Sequence, residues 1–209
     1  MTQLRSLPLP VLAVLAGAET GVELADRLSF RMGLRSNGES GSFARRNKYD
    51  MGEKVRATGA RAVMQRLCRT DREVVTFLCE MVCINIEAEG GITAATAALS
   101  AAELKCVIKP VQSAGTDHVF LCSSVAEALD AFDDINGKRN GLGLINDGAL
   151  VQEYLEGKEY VIDKVSRDGV HKLVAVWEYD KRRCNNANFV YFGNRLRASN
   201  SEKVQEMIR

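Results

Sequence analysis

Lys109 stands in an otherwise apolar run, Cys106-Val107-Ile108-Lys109-Pro110-Val111, and a stretch of small residues, Ser113-Ala114-Gly115-Thr116, follows closely. A buried ammonium without a partner is costly, so Lys109 must reach a solvent edge, a carboxylate or an anion. Short side chains let a loop bring its backbone N–H groups close to a phosphate. Lysine and loop together would make a polyphosphate clamp. An edge-strand lysine beside an ordinary hairpin tip is the plainer reading, and these residues alone leave both open. The G-x-x-x-x-G-K-[ST] order of a P-loop is absent.

A second candidate is Gln152-Glu153-Tyr154-Leu155, where polar and apolar residues alternate at a strand end. Its backbone could meet an adenine edge, with Leu155 against the ring face. Glu159, just past Gly157, could accept from ribose hydroxyls. The competing reading is an exposed strand end with solvated glutamates. A third candidate is Arg45-Arg46-Asn47-Lys48. On a helix Arg45 and Lys48 share a face and could meet phosphate, although most such runs are solvated. Lys181-Arg182-Arg183 is read the same way, a phosphate contact or, more commonly, plain surface, and Trp177 reads as core rather than ligand. His118 and His171 have no spaced ligand partners, so no zinc site follows. No Ser-His-Asp or Cys-His grouping can be assembled. Neither a catalytic residue nor a metal ligand is assigned.

The elements that would position these residues are legible in outline. Val11–Ala16 reads as a short buried strand, followed by a turn and a helix through Leu28. Ser42 is read as the cap of one helix reaching about Ala57, which Gly59 ends. Arg61–Gln65 reads as a short strand. Asp71-Arg72-Glu73 opens a helix with Val74, Val75, Leu78 and Met81 on one side. Cys83–Lys105, with its alanine-rich part, reads as a poorly anchored helix or an insertion. Cys106–Val111 and Val119–Cys122 form a hairpin, and Ser124 caps a helix over Val125–Ile135. Leu150–Tyr154 is a strand. Glu159–Val165 and His171–Tyr179 form a hairpin whose tip is Arg167-Asp168-Gly169. The second half is thus antiparallel sheet with helices on one face.

Composition narrows the functional classes. The chain has 209 residues, 46% apolar and 26% charged, the balance of a folded soluble protein rather than a disordered one. Lys plus Arg total 28 against 27 Asp plus Glu, which argues against a broad nucleic-acid footprint but not against a local anion site. There is no apolar run long enough for a membrane-spanning helix. The N-terminal apolar stretch contains Pro8 and Pro10 and reads as a strand rather than a secretory signal. The 6 cysteines include no C-x-x-C pair, so free thiols in a reducing, cytoplasmic compartment are expected.

Four segments together resemble the ATP-grasp superfamily, in its amino-acid or dipeptide ligase branch of carboxylate–amine ligases. They are AGAETGVELADRLS, RRNKYDMGEKVRATG, CVIKPVQSAGTDHVFLCSS and LVQEYLEGKEYVIDKVSRDGVHKLVAVWEYDKR. The last two carry most of the signal: a lysine in an apolar strand, a small-residue loop, then Q-E-Y-x-x-G-x-E. That ordered set is much more specific than any one member, and the resemblance covers most of the chain. It implies an α+β ATP-grasp fold in which ATP lies between two lobes and a loop closes over its phosphates. Mg²⁺ bridges the phosphates, a carboxylate is activated as an acyl phosphate, and an amine attacks to give an amide or peptide bond. By resemblance Lys48 matches the first nucleotide-binding lysine and Lys109 the second. Ser113, Ala114, Gly115 and Thr116 match the lid. Gln152, Glu153 and Leu155 match the adenine hinge, and Glu159 the ribose acceptor.

The sequence departs from that pattern in three places. Only one N-terminal strand–helix unit is found. Cys83–Lys105 reads as extra material. The Mg²⁺ carboxylates and the metal-binding Asn of the family would lie beyond Arg209, and Glu202 and Glu206 look like surface rather than an E-x-N pair. Residues 1–40 are therefore expected to be the remnant of an N-terminal α/β domain, and residues 41–209 an incomplete ATP-grasp domain. Within the latter, 41–105 would be a helical part with a possible insertion and 106–209 a nucleotide-binding lobe. A fragment, a faulty gene model and a truncated homologue all remain open. The expected partners are ATP and small carboxylate and amine substrates, with neither nucleic acid nor membrane, and homo-oligomerisation is open. A non-catalytic nucleotide-binding or interaction protein is the alternative function.

Overall fold

The computed structural model describes residues 7–184 and 187–207. The chain forms two compact units, residues 1–154 and 155–209.

Unit 1 is built on a four-stranded sheet. In chain order its elements are α1 (Val22–Met32), α2 (Lys48–Ala57), β1 (Gln65–Cys68), α3 (Asp71–Met81), α4 (Ile92–Ala101), β2 (Cys106–Lys109), β3 (Phe120–Cys122), α5 (Val125–Ile135) and β4 (Ala149–Glu153). The strand order is β1-β4-β2-β3, and each neighbouring pair is antiparallel. Side chains alternate across a strand, so the register assigns each residue to a face. Cys68, Ala149, Val151, Cys106, Ile108 and Cys122 lie on one face and pack on Val74 and Leu78 of α3, Leu99 of α4 and Phe132 of α5. This is the core. The cysteines in it are free thiols, and burial pushes the Cys68 thiol up to about 12.

Local chemistry sets the helix starts. Thr70 and Glu73 close a capping box at α3, and the Ser124 side chain accepts from the Glu127 N–H at α5. The sequence predicted both starts. Gly148 is needed where β4 begins: its φ is +96°, and a Cβ there would lie 2.4 Å from the Cys68 carbonyl oxygen.

Several expectations are corrected. Val11–Ala16 is not a strand but irregular chain, with Leu12 82% and Leu15 87% exposed. An isolated strand has no ladder to join, and among the described residues none runs beside it. The single helix expected from Ser42 is broken: Phe43–Arg45 is a 3₁₀ turn and Asn47 caps α2, accepting from the Asp50 N–H. The strand expected at 61–65 lies at Gln65–Cys68, where antiparallel partners in β4 are available. The alanine-rich segment is well anchored, because Ala95 and Leu99 of α4 are buried in the core.

Unit 2 is a three-stranded antiparallel meander, β5 (Tyr160–Arg167), β6 (Val170–Cys184) and β7 (Ala187–Leu196), followed by the short helix α6 (Glu202–Met207). Asp168 and Gly169 turn between β5 and β6 with φ of +52° and +79°, the two-residue turn that suits strand twist. Trp177 is half-buried rather than core, and its indole N–H donates to Asp163 at 2.8 Å. Glu178 gathers Arg197, the Tyr160 hydroxyl and Lys158. The Arg197 hydrogen bond outweighs burial and, with Tyr160 and Lys158, holds the Glu178 carboxyl down to about 2.

Two outcomes follow. Leu99→Ala should destabilise unit 1 by roughly 2–5 kcal/mol in denaturant unfolding, since a buried leucine leaves a cavity. A cost near zero would mean that α4 is not part of the core. The Glu178 carboxyl is depressed in the fold, so its stabilisation is complete above the ordinary glutamate value of 4.5 and is lost as pH falls from there through about 2. Unfolding monitored by Trp177 fluorescence should lose stability across that window, and Glu178→Gln should flatten the dependence.

Candidate functional site

The second face of the unit 1 sheet carries the chemistry. Val107 opposes Gln152 and Lys109 opposes Leu150 in the β2–β4 ladder, while Gln152 opposes Gln65 of β1. Lys109, Gln152 and Gln65 therefore share the face opposite the α3–α4–α5 core. Lys109 is half-buried, and Pro110 beside it is buried. The alternation that buries Cys106 and Ile108 is what turns Lys109 the other way.

Helix α2 rests on this second face. The Gln65 amide donates to the Tyr49 carbonyl at 2.8 Å and to Glu53 at 2.9 Å. Gly52 permits the close approach, since a Cβ there would lie 2.4 Å from Gln65 Nε2. Lys48 is the first residue of α2. Its main-chain N–H donates to the Val111 carbonyl at 3.1 Å, and its Nζ donates to the Ser113 carbonyl at 2.7 Å. Burial, and then the Arg46 charge, lower the Lys48 pKa from its ordinary value, against the pull of Glu19 and Asp117. Arg45 does not share a helix face with Lys48; it is paired with Asp26, and Arg46 pairs with Glu19.

The loop after β2 is held at its ends. Ser113 is buried, while Gly115 and Thr116 are exposed. The Asn140 amide donates to the Gln112 carbonyl at 2.7 Å, and the Gly141 N–H donates to Asp117 at 2.8 Å. Gly115, Thr116 and His118 all have positive φ, at +68°, +61° and +50°. Burial alone would raise the Asp117 carboxyl. The Gly141 N–H, the His118 ring and the Lys48 charge together hold it below its ordinary value.

The hinge residues have local partners. Gln152 is buried, its amide donates to Gln65 at 2.7 Å, and its strand is paired on both edges. Glu153 accepts from Arg61 at 3.0 Å and from the Met64 N–H at 2.8 Å. Unit 1 therefore places Lys48 on the Ser113–Thr116 loop, and Lys109 and Gln152 on one face of the sheet. Leu155 and Glu159 belong to unit 2, where Leu155 is 53% exposed.

Glu159 has a partner that the sequence reading passed over. Lys181 Nζ donates to both Glu159 carboxylate oxygens, at 2.7 and 2.6 Å. The Lys181 side chain is only 18% exposed, which corrects the surface reading at this residue, while Arg182 and Arg183 are exposed as expected. Its ammonium lies 4.4 Å from the Tyr191 ring centroid and 5.1 Å from that of Tyr179. Burial works to lower its pKa, but bonds to Glu159 and Tyr191 overcome it and raise the value. Tyr179 and Lys181 are two apart on one strand, and that parity was the available signal. Asn140 and Asp117, which hold the loop, were also missed. They act through loop contacts that have no periodic signature.

An ATP-grasp domain matches residues 91–209, more than half of the chain. The chain belongs to the ATP-grasp family. Over 179 residues it is 34% identical to dapdiamide A synthase of Enterobacter agglomerans, covering 85% of this chain and 38% of that protein. Among solved structures it resembles an L-amino acid ligase from Bacillus licheniformis, with TM-score 0.62 and 14% identity over 95% of this chain and 40% of the other. It also resembles D-alanyl-alanine synthetase A from Vibrio cholerae, with TM-score 0.56 and 12% identity over 93% of this chain and 53% of the other. The fold is thus the α+β ATP-grasp fold, with its similarity in the amino-acid ligase branch. The chain spans 38% of the curated relative's length.

Lys48→Met should loosen the loop by removing a charge-assisted hydrogen bond. Hydrogen exchange at residues 114–118 should speed by about tenfold. Unchanged exchange would mean that the Lys48–Ser113 bond does not hold the loop.

Proposed function

We propose that this chain holds ATP as the nucleotide-binding part of a carboxylate–amine ligase. Lys48, Lys109 and the Ser113–Thr116 loop take the phosphates. Residues 152–155 meet adenine, with Gln152 serving through its packing, and Glu159 accepts from the ribose. The observation that carries the reading is the Lys48 ammonium on the Ser113 carbonyl at 2.7 Å, across 65 positions of sequence. A lysine drawn from water onto a small-residue loop is poised to exchange a carbonyl for a phosphate oxygen. Cations and N–H donors fixed there would stabilise charge on a transferring phosphoryl group.

In the reaction a substrate carboxylate oxygen attacks the terminal phosphorus and ADP leaves. An amine then displaces phosphate from the acyl phosphate to form an amide. Amino acids are the substrate class suggested by the names of the similar ligases. The compartment is read as cytosolic. Among the described residues no helix is long and apolar enough to cross a membrane.

The family implies Mg²⁺, but the described residues contain no group of three or more His, Cys, Asp or Glu suited to a metal. Glu202 and Glu206 are exposed on α6 beside Lys203. These residues do not fit a metal shell, and no step is assigned to one. The alternative reading is a nucleotide-binding chain without turnover.

Thermal unfolding with and without ATP tests both. ATP at a hundredfold excess over Kd should stabilise the chain by about 2.7 kcal/mol, and Lys109→Ala should abolish that protection. Release of ADP and phosphate with paired amino acids marks a ligase, whereas protection without release marks a binding protein. Unchanged nucleotide affinity in Lys109→Ala would refute the phosphate assignment.

A further inference from the structure

A glutamate that is 51% exposed, just before a strand, is a poor acceptor for a diol unless something fixes it. Glu159 is fixed at both ends. Its carbonyl accepts from the Tyr179 N–H at 2.9 Å, and both its carboxylate oxygens accept from Lys181. Lys181 is itself confined. The Tyr179 and Tyr191 rings stand edge to face, with centroids 5.1 Å apart, and the ammonium lies near the faces of both. An aromatic wall attracts a cation through the negative ring face and excludes water from it. Lys181 is thereby held where its charge serves one carboxylate.

We propose that Lys181, boxed by Tyr179 and Tyr191, is a positioning residue that aims Glu159 at the ribose hydroxyls and so sets preference for a ribonucleotide. An ionised carboxylate offers about four lone-pair sites. One ammonium occupies two, one on each oxygen, and the others remain for a vicinal diol. With the side chain already immobilised, a ribose needs only to donate. Without Lys181 the carboxylate has no fixed direction, and the diol loses its advantage over a sugar that lacks it. All four residues lie in unit 2. The inference rests on the assignment of Glu159 as the ribose acceptor.

Calorimetric titration of the full chain with ATP and with 2′,3′-dideoxy-ATP tests it. Wild type should prefer ATP by about tenfold, the discrimination given by a hydrogen bond to a charged group. Lys181→Met should reduce that preference to below about threefold while changing dideoxy-ATP affinity by less than twofold. Lys181→Arg should restore most of the preference. If Lys181→Met does not fold, Tyr191→Leu, which spares both charges, is read in the same way. An ATP preference that survives in Lys181→Met, or equal weakening of both nucleotides, overturns the positioning role alone. A wild-type chain that binds both nucleotides alike overturns Glu159 as ribose acceptor, and absence of binding overturns the nucleotide reading itself.

Discussion

An ammonium group that leaves water must be met by oxygen, and the arrangement of unit 1 depends on how that is done at Lys48. Its two donors, the main-chain N–H and Nζ, both go to the segment after β2, at Val111 and Ser113. The main-chain donor is free for this only because Asn47 breaks the chain into a 3₁₀ turn and a new helix, leaving the first N–H groups of α2 without intrahelical partners. Had one helix run through from Ser42, that N–H would have been consumed inside it. The break and the loop contact are two aspects of one arrangement.

The far end of the same contact chain lies on the sheet. Gln65 bonds the Tyr49 carbonyl and Glu53 of α2, and receives the Gln152 amide from β4. Helix α2 is therefore tied at its start to the loop and along its side to the strands that carry Gln152. The buried polar groups are mutually satisfied, which such a network requires if it is not to cost more than an apolar one. Meanwhile the loop tip holds Thr116 and His118 at positive φ, conformations that cost of order 1–3 kcal/mol each for such residues. Lys48, Asn140 and the Gly141 N–H hold the ends in place and offset that strain. The loop is thus anchored at its base and exposed at Gly115 and Thr116.

What could be read from sequence follows from how local each determinant is. The α5 limits and the α3 start were legible because a cap and an apolar periodicity agree there. The β5–β6 turn was legible because Asp-Gly accepts positive φ at both positions. Lys109 was identified from one residue's conflict with its neighbours. Val11–Ala16 misled because an apolar run states that burial is wanted, not that a partner exists. Helix α2 is polar along most of its length, so no periodicity marked its start, and only Asn47 could have done so. The anchoring of α4 rests on two residues, Ala95 and Leu99, too few to stand out in an alanine-rich stretch. Gln152 and Gln65 meet across 87 positions, a distance that no local pattern reports.

Charge runs in strands obey parity before they obey solvation. In Lys181-Arg182-Arg183 the first two cations point to opposite faces of β6. Arg182 is 61% exposed and pairs with Asp180, two residues away on its own strand. Lys181, on the other face, is enclosed by Tyr179, Tyr191 and Glu159. A helix would have spread these charges around a cylinder, whereas a strand divides them cleanly, so adjacent residues of the same type can do different work. The same logic places Lys109 opposite Cys106 and Ile108. In both units a cation is turned away from its apolar or exposed neighbours by a period of two, and for Lys181 the partner found on that face is the Glu159 carboxylate.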